Sequence, residues 1–124
     1  MSSAARSVYV SGIYLLVVGG ILLGAPNTLL MVLGLPPTTE PWIHVAGIPI
    51  MAMGMLFASS ARAENRWFFR ASVWVRVFAL ISFVMLAVLP VAPAVVVGFG
   101  IVDALGALWT RLSLREAPVL AERV

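Results

Sequence analysis

Four apolar stretches, each about as long as a membrane-spanning helix, occupy most of the 124-residue sequence. An α-helix needs about 20 predominantly apolar residues to cross the hydrocarbon core of a bilayer. The pattern therefore predicts an all-α, integral membrane four-helix bundle, built from two antiparallel hairpins as a single transmembrane domain over residues 1–124. The predicted spans cover approximately residues 8–25, 41–61, 67–89 and 94–112.

The composition supports a membrane protein and excludes several other classes. Hydrophobic residues make up 62% of the chain and charged residues only 10%, whereas a soluble domain is about 25% charged. A soluble chain of this length has too little interior to bury so much apolar surface. All eight basic residues are arginine and are scattered, so no patch for nucleic acid is predicted. The absence of cysteine excludes disulfides and thiolate metal sites.

The arginines predict the orientation of the chain in the membrane. Seven of the eight lie at or near the same end of the predicted spans, and the connections at the other end contain none. The positive-inside rule then places both termini in the cytoplasm. Residues 113–124 are polar and contain Pro118, and they are predicted to be a loose cytoplasmic tail.

The connection between the first two predicted spans contains a short apolar segment. Thr28–Leu33 reads TLLMVL and lies between Pro26-Asn27 and Gly34. Six apolar residues are too few to cross a bilayer, and their position between helix breakers predicts a short interfacial segment.

Glycines mark one face of the first predicted span. Gly12 and Gly19 are two helical turns apart, and Gly20 and Gly24 have the GxxxG spacing. Small residues allow the backbone of another helix to approach closely. The partner helix is either within the same chain or in a second copy, and the sequence leaves both interpretations open.

Asp103 is the one acidic residue within the predicted spans. It lies near the middle of the fourth span, and Arg76 lies about nine residues into the third. Counting residues from the turn at Pro90–Pro93 gives an offset of about five residues, or roughly 7–8 Å along the helices. An extended arginine side chain covers most of that offset. A lone charge at the bilayer centre costs at least about 2.5–3.5 kcal/mol, so the sequence predicts that Arg76 and Asp103 form a buried ion pair or line a ligand site.

Tyr14 and Thr110 are the other candidate members of this site, because the helical pattern places them at a depth from which they can join it. Three interpretations of the pair are retained: a structural lock between the third and fourth spans, a ligand site, and a proton-coupling site. No catalytic residue, metal site or cofactor is predicted, since the sequence contains no nucleophile–base set, metal-ligand spacing or glycine-rich phosphate loop.

Four segments resemble a group of small bacterial four-helix membrane proteins that are broadly similar to the DoxX-like families. They read GIYLLVVGGILLGAPN, LGLPPTTEPWIHVAG, RVFALISFVMLAVL and FGIVDALGALWT, and the resemblance covers about Gly12 to Thr110. It implies a helical bundle in the bacterial cytoplasmic (inner) membrane. The arginine of the third span and the GxxD-like element of the fourth would correspond to Arg76 and to Gly100–Asp103. The resemblance implies no catalytic residues.

The predicted function is that of a small integral membrane accessory or interaction protein, with room for a lipid or another hydrophobic ligand between its helices. Its expected partners are membrane lipids and a second copy or a larger membrane protein. Two alternatives remain: a homodimeric small-molecule transporter or channel that uses Asp103, and a membrane-embedded, lipid-modifying enzyme with Asp103 as acid or base. Small multidrug transporters rely on a glutamate in their first span, where this chain has no acidic residue.

Overall fold

The computed structural model describes the backbone of residues 1–123 and the side chains of residues 1–115. Over this described part, helices are the only regular elements, which confirms the predicted all-α class. A single 3₁₀ turn, Ala94–Val96, precedes the last helix. The α-helices are α1 (Ser3–Gly24), α2 (Pro26–Val32), α3 (Trp42–Arg62), α4 (Arg66–Val88) and α5 (Val97–Arg123).

Four helical segments are long and apolar enough to cross a membrane. Large apolar side chains cover their outer surfaces; Phe78, for example, is 71% exposed. Contact of such a surface with lipid costs no free energy, whereas its exposure to water is unfavourable. The chain is therefore a multi-pass membrane protein, and its four long helices are compatible with a four-helix bundle. The membrane-spanning segments are Ser3–Gly24, Trp42–Arg62, Arg66–Val88 and Ala94–Arg115.

Two helices extend beyond the predicted spans. α1 begins at Ser3 rather than at residue 8, because the hydroxyl of Ser2 accepts a hydrogen bond from the backbone N–H of Ala5 and caps the helix. α5 continues past Leu112, where the predicted span ends, to Arg123. Ser113 is buried rather than part of a loose tail. Residues 113–117 have moderate or high helix propensity, so the loss of hydropathy after Leu112 does not end the helix there.

The chain divides into two compact units, Val10–Ser59 and Met1–Tyr9 with Ser60–Val124. In the first unit, α1 and α3 run antiparallel with their backbones in contact. A Cβ atom built on Gly19 would lie 2.7 Å from the backbone nitrogen of Met51, and one built on Gly12 would lie 3.0 Å from the carbonyl oxygen of Gly54. Gly12 and Gly19 of the predicted glycine face thus pack within the same chain, whereas no atom lies within 4 Å of a Cβ built on Gly20 or Gly24.

The connection between α1 and α3 contains α2, which confirms a short helical segment at the predicted position. Its residues Met31 and Val32 are about three-quarters exposed. The following loop is held to the start of α2 by Asn27, whose side chain donates to the carbonyl of Thr38 (3.1 Å) and accepts from its N–H (2.9 Å).

In the second unit, α4 and α5 form an antiparallel hairpin. The N–H groups of Val91 and Ala92 both donate to the carbonyl of Leu86, which reverses the chain close to Pro90. Gly100 then faces α4 so closely that a Cβ atom there would lie 3.0 Å from the Cα of Leu80. This contact fixes the register of the two helices.

The start of α1 is attached to the loop between α3 and α4. The Glu64 carboxylate accepts hydrogen bonds from the backbone nitrogen and the hydroxyl of Ser2, each 2.7 Å long. These bonds, the backbone N–H first, lower the pKa of Glu64. A lowered pKa means that the contact contributes its full stability at neutral pH and loses it as the pH falls below about 4.5 and through the folded-state pKa.

Candidate functional site

Buried polar side chains gather in the unit that contains α4, α5 and the first two turns of α1. Arg76 is only 3% exposed, and it lies among hydroxyl-bearing residues of these three helices. We call this group the arginine cluster. It consists of Ser7, Ser72, Arg76 and Thr110, all of them at most 3% exposed.

Arg76 is placed deep in the span but reaches back toward the start of α4. It lies ten residues after Arg66, or roughly 15 Å along the helix axis. Its Nε donates to the backbone carbonyl of Ser72 (3.2 Å) and its Nη2 to the Ser72 hydroxyl (2.9 Å). Side chains in an α-helix tilt toward its N-terminus, so a long residue meets the residue four positions earlier.

Thr110 connects the guanidinium to α5 and α1. Its hydroxyl oxygen accepts a hydrogen bond from Nη2 of Arg76 (2.8 Å) and lies 2.6 Å from the hydroxyl oxygen of Ser7. Ser7 also lies 2.6 Å from the carbonyl oxygen of Ala4, and Thr110 lies 3.0 Å from that of Gly106. Either hydroxyl can donate to the other, because each has a carbonyl as an alternative acceptor. In both arrangements a lone pair of Thr110 remains for Arg76.

The arginine cluster is saturated. Among the side chains that the structure describes, every buried nitrogen and oxygen has a hydrogen-bond partner. A buried polar group without a partner would cost about 1–3 kcal/mol, and more if charged. The cluster therefore holds the first turns of α1 against α4 and α5. A second bond, between the hydroxyls of Ser3 and Ser113 (2.9 Å), joins α1 to α5 about one turn nearer the start of α1 and one turn later in α5.

Asp103 lies on α5 and is partly exposed. With Gly100 facing Leu80, the antiparallel register sets Asp103 about level with Val77. Its backbone is therefore within about one residue, or roughly 1.5 Å, of Arg76 along the helix axis. The sequence predicted that Arg76 and Asp103 would be offset by about five residues along the helices, and this offset is too large. The chain reverses at Pro90, so the residues of the 3₁₀ turn already run back beside α4.

The backbones of Arg76 and Asp103 lie at nearly the same level on neighbouring helices. The guanidinium nevertheless extends toward Ser72 and Thr110, which lie on the other side of Arg76 from Asp103 along the helix axis. The buried ion pair stays a prediction, while the hydrogen bonds show that hydroxyl groups are direct partners of Arg76.

Arg76 and Thr110, which are both predicted site residues, are in direct contact. Tyr14 belongs to the unit Val10–Ser59, where it is partly buried. Ser7 and Ser72 are members that the sequence prediction did not include. Ser72 was detectable, because residues four apart on a helix are neighbours. Ser7 was not, because its contact with Thr110 depends on how α1 aligns with α5.

The chemistry available to the arginine cluster is limited by its composition. A guanidinium and three hydroxyls supply hydrogen bonds and one positive charge, but a hydroxyl nucleophile also needs an adjacent general base. No group of three or more His, Cys, Asp or Glu side chains suited to a metal ion is found among the described residues. Comparison with family models, with curated proteins and with solved structures gave no match.

Proposed function

We propose that this chain is a small accessory or interaction protein of the bacterial cytoplasmic membrane, with both termini in the cytoplasm, and that it acts by binding rather than by catalysis. The observation that carries the proposal is the saturation of the arginine cluster. The most unusual polar group of the spans hydrogen-bonds residues of its own chain, which supports a structural role for Arg76. The resemblance to DoxX-like families is part of this proposal and supports the choice of membrane.

The energetics favour a structural link between α4 and α5, rather than an active site, as the role of the arginine cluster. Placing an arginine at the centre of a bilayer costs at least about 2.5–3.5 kcal/mol. Hydrogen bonds to Ser72 and Thr110 offset that cost only while the helices stay together. A substrate that took over these bonds would disrupt the helix packing. The lipid-facing helix surfaces are thus the parts of this molecule suited to partners.

The positive-inside rule supports the proposed orientation. The starts of α1 and α4 and the end of α5 carry arginines, whereas the segment from Pro26 to Trp42 and the turn at Pro90–Pro93 contain none.

Co-purification tests the proposed function. The full chain, extracted in mild detergent and cross-linked in the membrane beforehand, is expected to migrate above its monomer mass of 13.2 kDa. Mass spectrometry of the isolated species should then identify a second copy, a larger membrane protein or bound lipid. A monodisperse monomer that carries neither protein nor lipid would contradict the proposal.

One observation favours a second candidate, a proton-coupled homodimeric transporter. Asp103 is a partly exposed carboxyl group within a span, and carboxyl groups at such depth serve as proton carriers in transporters. Binding of tetraphenylphosphonium, a lipophilic cation, would then release a proton between pH 5 and 9, and Asp103→Asn would abolish that release. Calorimetry in buffers of different ionisation enthalpy measures it. We expect no proton release, and a release that depends on Asp103 would favour the transporter.

A further inference from the structure

A groove lies between the first half of α4 and the last described turns of α5, and it is separate from the arginine cluster. Its volume is about 420 Å³. We call it the basic groove, because three of its six lining side chains in the described part of the chain are exposed arginines. The lining residues are Arg70, Val73, Trp74, Arg111, Leu114 and Arg115.

The charges of the basic groove converge from two helices. Arg111 and Arg115 are one turn apart on the same face of α5, and Arg70 approaches from α4. None of the lining side chains among residues 1–115 is acidic. Three guanidinium groups around one cavity repel each other unless an anion lies between them. A phosphate group is a suitable anion, because its oxygens match the planar donors of arginine in pairs.

The depth of the groove in the membrane restricts the source of this phosphate. Arg70 lies four residues after the start of α4, roughly 6 Å along the helix, and the contact of Gly100 with Leu80 sets Arg111 and Arg115 about level with the first turn of α4. The arginines therefore lie at the level of the lipid headgroups. Trp74 is one turn deeper than Arg70 and is 66% exposed. Tryptophan favours this interface because its ring is apolar and its N–H group is polar.

We propose that the basic groove binds the phosphate group of an anionic phospholipid, with the acyl chains against Trp74 and the apolar surface below it. A cavity that is cationic at its outer rim and apolar below fits an amphipathic anion. A soluble phosphate would use the arginines alone and would leave the apolar wall without a role. Basic pockets between transmembrane helices are suited to anionic headgroups for the same reason. This inference rests on the proposed function only in that the helices cross a bilayer.

Native mass spectrometry of the full chain tests the proposal. The protein is reconstituted into nanodiscs that contain equal amounts of phosphatidylglycerol and phosphatidylcholine, and the lipids that remain bound after release are counted. We expect the wild type to retain phosphatidylglycerol in preference. Arg70→Gln with Arg111→Gln should weaken that preference roughly tenfold or more, since removing even one charge-assisted hydrogen bond to a phosphate lowers affinity by about that factor.

The matched control is Arg6→Gln with Arg66→Gln, which removes the same charge from residues outside the groove. It should keep the wild-type preference, and circular dichroism should show that both double variants are helical. If the groove double variant does not fold, Arg115→Gln, at an exposed residue, provides the comparison. Equal loss in the control, or equal retention of both lipids by the wild type, would overturn the proposal. Displacement of the bound lipid by millimolar inorganic phosphate would overturn it in favour of a soluble ligand.

Failure of the groove assignment is distinguishable from failure of the proposed function. A chain that co-purifies with a protein partner but shows no preference for anionic lipid contradicts only the groove assignment. A lone monomer that still retains phosphatidylglycerol through the groove arginines supports the assignment without a protein partner.

Discussion

Replacing Gly47 with alanine should destabilise the protein by about 2 kcal/mol or more, at the upper end of the usual cost of overpacking. The added Cβ atom would lie 2.6 Å from the carbonyl oxygen of Gly19 and 2.7 Å from the backbone nitrogen of Leu23. Both are backbone atoms of α1, so no side chain can rotate away and the helices must separate. Thermal unfolding in detergent, followed by circular dichroism, measures the loss.

Gly20→Ala is the matched control for that substitution. No atom lies within 4 Å of a Cβ built on Gly20, and alanine is favoured over glycine in a helix by roughly 0.5–1 kcal/mol. The control should therefore be neutral or slightly stabilising, opposite in sign to Gly47→Ala. If Gly47→Ala unfolded at the wild-type temperature, the close contact between α1 and α3 would be wrong. The comparison is informative because close packing, rather than hydrophobic burial, drives helix association in lipid.

Arg76→Met should cost roughly 3 kcal/mol of stability, in the range measured when one partner of a buried charged pair is removed. The substitution deletes the bonds from Nη2 to Ser72 and Thr110 and leaves Asp103 without its neighbouring positive charge. Adding Asp103→Leu should restore most of the loss, because neither charge then remains in the span. Chemical unfolding in detergent micelles measures both variants.

The exposed Arg6, which lies outside the basic groove, is the control for Arg76. Arg6→Met should change stability by no more than about 0.5 kcal/mol, as is usual for exposed positions. A double variant that is less stable than either Arg76→Met or Asp103→Leu alone would show that the two charges do not act as a pair. The hydrogen bonds to hydroxyls would then account for the whole effect of Arg76.

The sequence was sufficient to predict the spans and the close approach of α1 to another helix. Hydropathy and proline positions mark where a helix can cross lipid. Gly12 and Gly19 mark the face of α1 on which another backbone can approach closely. The helix ends were less predictable, because Ser3 and Ser113 lie outside the apolar pattern but remain within α1 and α5. Hydropathy reports the solvent around a helix, whereas capping and local propensity decide where it begins.

The candidate site was predictable only where it depends on one helix. Arg76 and Asp103 are conspicuous because a charge in an apolar span is rare. The contact between Ser7 and Thr110 joins residues 103 positions apart, and it depends on the axial alignment of two helices that are far apart in sequence. A shift of one residue changes which side chains meet, and no periodicity in the sequence specifies that shift.

The partners of Arg76 also impose an order on the synthesis of the chain. Thr110 follows Arg76 by 34 residues, so at about 5–20 residues per second it leaves the ribosome roughly 2–7 s later. Ser72 is made before Arg76 and is on the same helix, so its carbonyl and hydroxyl are ready when the guanidinium enters the bilayer. The intrahelical bonds can thus accompany Arg76 during insertion of α4, and the bond to Thr110 closes the cluster only when α5 arrives.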